Sequence, residues 1–131
     1  MNSDWAQQKL RVLVKEVVAR QLLPFPAIEA AAEWSLRGSV LVGRLRNATN
    51  HADWFWLIGG ENLSTDIAPG SVASSPRELI RYFALRWQIG AAQLQDQSDI
   101  LVNSFSSHAK APELQKMAEG LYRLSETEGI W

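Results

Sequence analysis

The sequence predicts an α+β fold, in which a small antiparallel sheet of two to four strands packs against three main helices. Apolar residues at helical spacing predict helices near both ends of the chain, and a strong start signal at Pro76 predicts the third. The strand prediction rests on the stretch from Trp54 to Ile58, where every residue is apolar. With 131 residues, the chain is predicted to be a single domain, residues 1–131.

The first helix is predicted over residues 4 to about 22. Asp4 followed by Gln7 resembles a capping box, and Pro24 closes the segment because proline cannot donate a backbone hydrogen bond. Its apolar side consists of four residues at helical spacing: Leu10, Leu13, Val14 and Val17. Because the positive charge of the helix is modest, this side is expected to cover a core rather than a membrane.

Residues 28–53 hold less regular patterns. Ile28–Trp34 favours a helix of about two turns by propensity alone, because alanine and glutamate dominate it. Residues 35–46 follow an extended pattern, and residues 47–53 are rich in turn-forming residues. We therefore expect an antiparallel hairpin with a long loop between this strand and the next.

The strand that begins at Trp54 is predicted to be central in the sheet. Trp54 and Trp56 alternate with Phe55 and Leu57, so an extended chain here is apolar on both faces. Gly59-Gly60 ends the strand, because paired glycines weaken it and permit other backbone angles.

Residues 60–75 form the longest stretch without a clear period. Such a stretch is expected to be a loop, or to hide a short strand at Ile67-Ala68 or at Ser71–Ala73.

The clearest local signal is the helix start Ser75–Glu78. It offers a serine N-cap, proline at the first helical position and glutamate at the third. The helix is predicted to run to about Gln95 and to be central, because apolar residues cover well over half its circumference. Those expected to be buried are Leu79, Ile80, Tyr82, Phe83, Trp87, Ile89, Ala91 and Leu94.

The last part of the chain is predicted to be a loop over residues 96–111, with a short apolar piece at Ile100–Val102, followed by a helix. The helix begins at Pro112 and ends near Glu126. The terminal Trp131 is expected to be docked, because a tryptophan is costly to leave in water.

Composition excludes several classes of function. Thirteen basic and fourteen acidic side chains leave a net charge of −1, which argues against binding nucleic acid through phosphate neutralisation. The absence of cysteine removes disulfides and thiol catalysis and fits a reducing compartment. Charges interrupt the N-terminal apolar residues, so we expect no signal peptide and no membrane span, and we expect the protein in the cytoplasm.

Arg86 is the most informative charged residue. Its helical angle places it inside the apolar arc of the Pro76 helix, where an unpaired guanidinium is very costly. Residues 47–75 contain acids and no lysine or arginine. We therefore predict that Arg86 is buried and pairs with Asp66 or Glu61.

Five residues are candidates for ligand binding: Trp54, Trp56, Glu61, Asp66 and Arg86. Tryptophans often line small-ligand pockets, and Glu61 with Asp66 has the residue types of a general acid and base. Each has a structural interpretation as well. Tryptophans at strand spacing fit a core, and Ser64–Asp66 can satisfy its own backbone in a turn.

No sequence signature predicts a metal, a cofactor or a catalytic residue. His51 and His108 each lack a second histidine nearby, so both are expected in exposed loops rather than in a metal site. No serine occurs in a Gly-x-Ser-x-Gly motif, and Gly59-Gly60 lacks the flanking residues of a phosphate-binding loop.

Residues 54–88 carry a resemblance to a known family. Four segments, Trp54–Gly60, Leu63–Asp66, Pro76–Glu78 and Phe83–Trp87, are similar to the family called domain of unknown function 4826, small bacterial proteins of similar length. The opening amphipathic helix and the C-terminal tryptophan also fit this family. The resemblance implies the fold and no mechanism.

Within the resemblance, members tend to carry Gly-Asp-Leu-Pro-Thr-Asp-Tyr before the central helix. Here Asn62, Ser64 and Ile67 replace the aspartate, the proline and the tyrosine, which weakens any role for those side chains. Four residues match the family: Thr65, Asp66, Arg77 and Trp87.

The leading hypothesis is a non-enzymatic cytoplasmic domain that binds an unknown protein or a small ligand, and neither nucleic acid nor membrane is an expected partner. The alternative is a small enzyme that uses Glu61 or Asp66 with Arg86 in a cleft. A homodimer is a third possibility, with an apolar patch that includes Trp5, because Trp5 lies off the apolar side of the first helix.

Overall fold

The structure, a computed structural model, describes residues 2–98 and 111–131, with side chains for residues 4–93 and 111–131. Within these residues it confirms the α+β prediction, with three helices and a four-stranded antiparallel sheet. The helices are α1 Asn2–Ala19, α2 Pro76–Ser98 and α3 Ala111–Glu126; the strands are β1 Ile28–Leu36, β2 Val40–Asn47, β3 Asn50–Gly60 and β4 Leu63–Pro69.

The chain divides into two compact units, Met1–Ser74 and Ser75–Trp131. The first unit contains α1 and the sheet, and the second contains α2 and α3. A single domain over residues 1–131 stays a prediction. Most of the loop predicted over residues 96–111, with its Ile100–Val102 piece, lies outside the described residues.

The sheet is a meander in which neighbouring strands follow chain order, β1-β2-β3-β4. The tryptophan-bearing strand β3 lies between β2 and β4 and ends at Gly60, so the predictions of a central strand and of a glycine stop are confirmed. Trp56, Leu57 and Ile58 are all buried, as expected for a strand that is apolar on both sides.

Helix α1 packs on one face of the sheet. Its buried side chains Leu10, Leu13 and Val17 form one cluster with the sheet residues Leu41, Leu45 and Leu57. The helix approaches the backbone of β3 closely, since a Cβ atom added at Gly59 would lie 2.6 Å from Cδ1 of Leu13. Glycine at this position therefore permits the contact.

The helix favoured by propensity over Ile28–Trp34 is wrong, because this segment is the edge strand β1. It pairs with β2 from Ile28, opposite Asn47, to Leu36, opposite Val40, with a register shift between Ala32 and Trp34. Helix propensities differ by only a few tenths of a kcal/mol per residue, and pairing with a strand distant in sequence overrides them.

The long loop predicted over residues 47–53 is also wrong. The β2–β3 hairpin is tight, because Asn47 pairs with Asn50 and only Ala48 and Thr49 lie between them. The Asn47 side chain closes the turn, accepting hydrogen bonds from the backbone N–H of Thr49 at 3.0 Å and from its hydroxyl at 2.8 Å. An asparagine that bonds the backbone two residues later is a recurrent turn device.

Residues 60–75, predicted to be a loop or to hide a short strand, contain a strand. Ile67 and Ala68 lie in β4, which pairs with β3. The second possible strand, Ser71–Ala73, is not one, because Gly70–Val72 forms a short 3₁₀ turn.

Helix α2 begins as predicted, since the backbone N–H of Glu78 donates to the Ser75 hydroxyl at 3.2 Å. Five of its predicted core residues are buried: Leu79, Ile80, Phe83, Trp87 and Ala91. Tyr82 is partly buried, and the side chain of Leu94 lies outside the described residues. Ile89 and Arg86, however, are exposed, so the prediction that they are buried is wrong. Apolar side chains continue around α2 onto its exposed side, and the residue types alone do not mark where burial ends.

The C-terminus contacts its own unit. The Trp131 indole N–H donates to the carbonyl of Thr127 at 2.9 Å, and the Arg77 guanidinium lies 5.9 Å from the Trp131 ring centroid. Arg77 also donates to the carbonyl of Ser125 at 2.7 Å, which joins the start of α2 to the end of α3. Trp131 is therefore packed while part of it stays exposed.

In the described part of the chain, no helix combines the length and the apolar character that crossing a membrane requires.

Gly59→Ala is expected to lower the free energy of unfolding by about 1–3 kcal/mol, because the added Cβ would collide with buried Leu13. Gly120→Ala in α3 is the matched control. A Cβ there meets nothing within 4 Å, and alanine is expected to stabilise the helix by roughly 0.5–1 kcal/mol. Chemical denaturation followed by circular dichroism measures both. Changes of the same sign would contradict the close packing of α1 on β3.

Candidate functional site

The two tryptophans predicted to bind ligand lie on β3 with different surroundings. Trp56 is buried, and its indole N–H donates to the carbonyls of Gly70 at 3.2 Å and Ala73 at 3.1 Å. Trp54 is half-buried, and its ring centroid lies 5.2 Å from that of Trp56 in an edge-on arrangement. Trp56 therefore holds the segment after β4 in place, and its role in ligand binding stays a prediction.

Arg44 on β2 lies beside both tryptophans, a contact that no sequence pattern predicted. Its guanidinium carbon is 4.5 Å from the Trp54 ring centroid and 5.1 Å from that of Trp56. Its Nε lies 3.3 Å from a carboxylate oxygen of Glu33 on β1. Cation–π contact and ion pairing thus hold one exposed arginine across three strands.

A second group of charges lies nearer the β2–β3 hairpin. Together with Arg44 and Glu33 it forms a ladder of paired charges across β1, β2 and β3. Arg46 Nε and His51 Nε2 approach the same carboxylate oxygen of Glu29, at 2.7 Å and 3.2 Å. All three side chains are about half exposed, and pairs of this kind contribute roughly 0–1 kcal/mol each. His51 is exposed as predicted but lies in a strand, and His108 lies outside the described residues.

The two candidate acid–base carboxylates are directed to opposite sides of the sheet. Glu61 faces α1, where it accepts a hydrogen bond from the Trp5 indole at 3.2 Å and lies 3.7 Å from Lys9 Nζ. Asp66 lies between Thr65 and Ile67, which both contact α1 or its cluster, so strand alternation directs Asp66 to the other face.

Thr65, which matches the family pattern, contributes to packing. It is buried, and its hydroxyl donates to Glu16 at 2.7 Å. Arg20 donates to the Thr65 carbonyl at 3.0 Å and lies 3.6 Å from Glu16. The three side chains attach the C-terminal half of α1 to β4. The turn predicted at Ser64–Asp66 is wrong, because these residues lie in β4; Asp66 accepts a hydrogen bond from the backbone N–H of Ile67 at 2.8 Å.

Arg86 is exposed on α2, and its guanidinium donates to the hydroxyl of Tyr82 at 3.3 Å. Glu61 and Asp66 belong to the first unit and Arg86 to the second, so the predicted ion pair would connect the two units. That pair stays a prediction.

The α2–α3 helix pair carries an apolar surface beside a groove. The groove has a volume of about 330 Å³ and is lined by Gln88, Ala118, Glu119, Tyr122 and Arg123. Tyr122 is 59% exposed, and Leu85 and Ile89 on α2 are 59% and 51% exposed. Leu85 lies one turn from both Gln88 and Ile89, so these residues share one side of α2.

We call Leu85, Gln88, Ile89, Ala118 and Tyr122 the groove surface. The residue pattern alone does not reveal this surface, because it predicts Ile89 to lie in the core. The available signal was that apolar residues cover more of α2 than one packed side requires, an excess typical of interaction surfaces.

Arg77 perturbs one carboxyl group in the second unit. Its guanidinium donates to Glu128 at 2.8 Å, and this hydrogen bond and the positive charge of Arg77 hold the pKa of Glu128 below its ordinary value of 4.5. The contact is structural, since Arg77 also bonds the Ser125 carbonyl at the end of α3.

Taken together, the sheet with its covering helix and the α2–α3 pair with its exposed apolar surface define a small α+β protein. The chain belongs to the family described as domain of unknown function (DUF4826), whose model matches residues 1–131. The predicted family resemblance is therefore confirmed over the whole chain. No curated protein and no solved structure matches it.

Arg44→Met is expected to lower the free energy of unfolding by about 0.5–1 kcal/mol, because it removes the contacts with two indole rings and with Glu33. Arg37→Met, at an exposed turn position, is the control and is expected to change stability by less than about 0.5 kcal/mol. Denaturation followed by tryptophan fluorescence measures both. Equal effects would show that the stacking does not stabilise the sheet.

Arg77→Gln is expected to raise the pKa of Glu128 toward 4.5, because the hydrogen bond and the charge are both lost. A folded-state pKa below the unfolded one stabilises the protein above the unfolded pKa, and this contribution is lost as the pH falls through the folded pKa. Carboxyl titration by NMR measures the shift. Arg81→Gln is the control with a smaller expected shift, and an unmoved Glu128 pKa in Arg77→Gln would refute the assignment.

Proposed function

We propose that this chain is a non-enzymatic protein-interaction domain and that it contacts its partner through the groove surface of α2 and α3. The observation that carries the proposal is the exposure of Leu85, Ile89 and Tyr122, each more than half in solvent, beside a groove. Scattered apolar residues are normal on protein surfaces, but a group of large ones around a concave site is typical of an interface.

A protein partner fits this surface better than a small ligand. Small-ligand sites enclose most of the ligand and place a few convergent polar groups inside. Here Tyr122 is mostly exposed, and the charged lining residues Glu119 and Arg123 lie on the exposed side of α3. A groove between two helices is suited to the apolar side of another helix.

The contacts of the acidic residues support a non-enzymatic function. Glu61 is engaged by Trp5 and Lys9, and Glu16 is engaged by Thr65 and Arg20. These contacts use carboxylates to attach α1 to the sheet. The competing enzyme hypothesis, in which Glu61 or Asp66 works beside Arg86 in a cleft, stays a prediction; the opposite directions of Glu61 and Asp66 give no support to these two carboxylates acting as a pair.

The small-ligand role of Trp54, Trp56, Glu61, Asp66 and Arg86 stays a prediction. We take the cytoplasm as the location, since a chain without cysteine fits a reducing compartment.

Site-specific photo-crosslinking in cells that naturally produce the protein tests the interaction. A benzophenone side chain at position 85 is expected to give discrete adducts with protein, because Leu85 lies on the groove surface. Ile89→Asp in the same chain is expected to abolish them by placing a charge in the contact. The control crosslinker replaces Val18 on α1, which is 55% exposed and apolar but lies in the first unit.

The interaction proposal fails if position 85 gives no more protein adducts than position 18, or if Ile89→Asp leaves the adducts unchanged. Circular dichroism of the Ile89→Asp variant verifies that it is folded. Mass spectrometry of the adducts then shows whether the partner is another protein or a second copy of the chain.

A further inference from the structure

The exposed side of α3 carries a symmetric pattern of charge. Lys116, Glu119, Arg123 and Glu126 are all exposed and alternate in sign along the helix. At about 100° per residue they fall within an arc of about 80°, so they form one stripe. Their spacings of three, four and three residues are symmetric about position 121.

This symmetry makes the stripe complementary to itself in one orientation. When two α3 helices lie antiparallel with a two-fold axis near position 121, Lys116 faces Glu126 of the other copy and Glu119 faces its Arg123. Every facing pair is then of opposite sign, and the two-fold axis repeats each pair. A parallel in-register pair would place like charges together.

The charges of the stripe are only weakly engaged within their own chain. In the described residues, Glu126 lies 3.9 Å from Arg81, and Glu119 accepts a hydrogen bond from Gln115 at 3.1 Å. The side chains of Lys116 and Arg123 have no ion pair among those residues. Both cations are thus available to carboxylates of another chain.

The apolar part of the same surface distinguishes an interface from a merely solvated helix. Alternating charges are also common on helices that face only water. A helix that faces only water gives no reason for large apolar side chains to lie exposed beside its charges. Here Tyr122 next to the stripe, and Leu85 and Ile89 on α2, are each more than half exposed. A second α3 helix over the groove would cover these side chains, and the small Ala118 in the lining permits a close approach.

We propose that two copies of this chain associate through antiparallel α3 helices, with the α2–α3 pairs of both copies forming a four-helix contact. The inference rests on the proposed function, because it names a second copy as a partner of the groove surface. The dimer surface differs from the patch predicted around Trp5. Trp5 packs against the α1 cluster and donates to Glu61, so it is committed within its own unit.

Sedimentation velocity of the full chain over a range of concentrations tests the dimer. The wild-type chain is expected to show a reversible monomer–dimer equilibrium. Lys116→Glu with Arg123→Glu makes the stripe wholly acidic, and Glu119→Lys with Glu126→Lys makes it wholly basic. Either double variant is expected to weaken the dimer roughly tenfold or more, because four attractive pairs become repulsive.

Sedimentation velocity of a mixture of the two double variants is the decisive measurement. The acidic and basic stripes complement each other at all four pairs, so a heterodimer is expected to form at least as tightly as the wild-type dimer. Restoration by mixing also shows that both variants are folded. The matched control is Arg11→Glu with Lys15→Glu on α1, which makes the same change of charge at exposed positions away from α3.

A wild-type chain that stays monomeric at the highest soluble concentration overturns the proposal. So does a dimer that is insensitive to the stripe variants, or one that mixing does not restore. In these cases, crosslinks from position 85 to a different protein would leave the interaction function standing. Absence of all specific crosslinks would remove the interaction function itself.

Discussion

The contact between α1 and the sheet is the constraint on which the first unit depends. Leu10, Leu13 and Val17 are buried against leucines of β2 and β3, and each fully buried side chain of this kind contributes about 1.5–3 kcal/mol. The contact requires glycine at position 59, where the helix meets the strand backbone. The packing of α1 on the sheet also brings polar side chains beside it into contact: Thr65 with Glu16, and Trp5 with Glu61.

The contact between α1 and the sheet also determines on which face of the sheet the acidic side chains lie. Because Glu61 is drawn toward α1, it is directed away from the face that carries Asp66. The other face combines buried Trp56 with an exposed ladder of paired charges, of which Arg44 is the part held by aromatic rings. Charges that satisfy one another in this way stabilise and solubilise a sheet, and their energies are small and sensitive to salt.

In the second unit, the buried and exposed sides of the same helices have different roles. Phe83 and Trp87 pack inside, with ring centroids 5.6 Å apart, and Arg77 joins the start of α2 to the end of α3. Two of the residues that match the family pattern, Arg77 and Trp87, therefore support the fold. Leu85, Ile89 and Tyr122 face outward, and the charge stripe of α3 lies beside them.

The sequence by itself determined the α+β class, the three helices, the central position of the tryptophan strand and the family, because capping residues and apolar periodicity are local signals. Only the tertiary structure decided that Ile28–Trp34 is a strand, that the β2–β3 turn is tight, and that Arg86 and Ile89 are exposed. The sequence suggested aromatic and acidic candidates on β3 and β4, whose role in binding stays a prediction, and it revealed neither Arg44 beside the tryptophans nor the groove surface. Strand register and side-chain exposure depend on partners far away in the chain, and no local pattern records those partners.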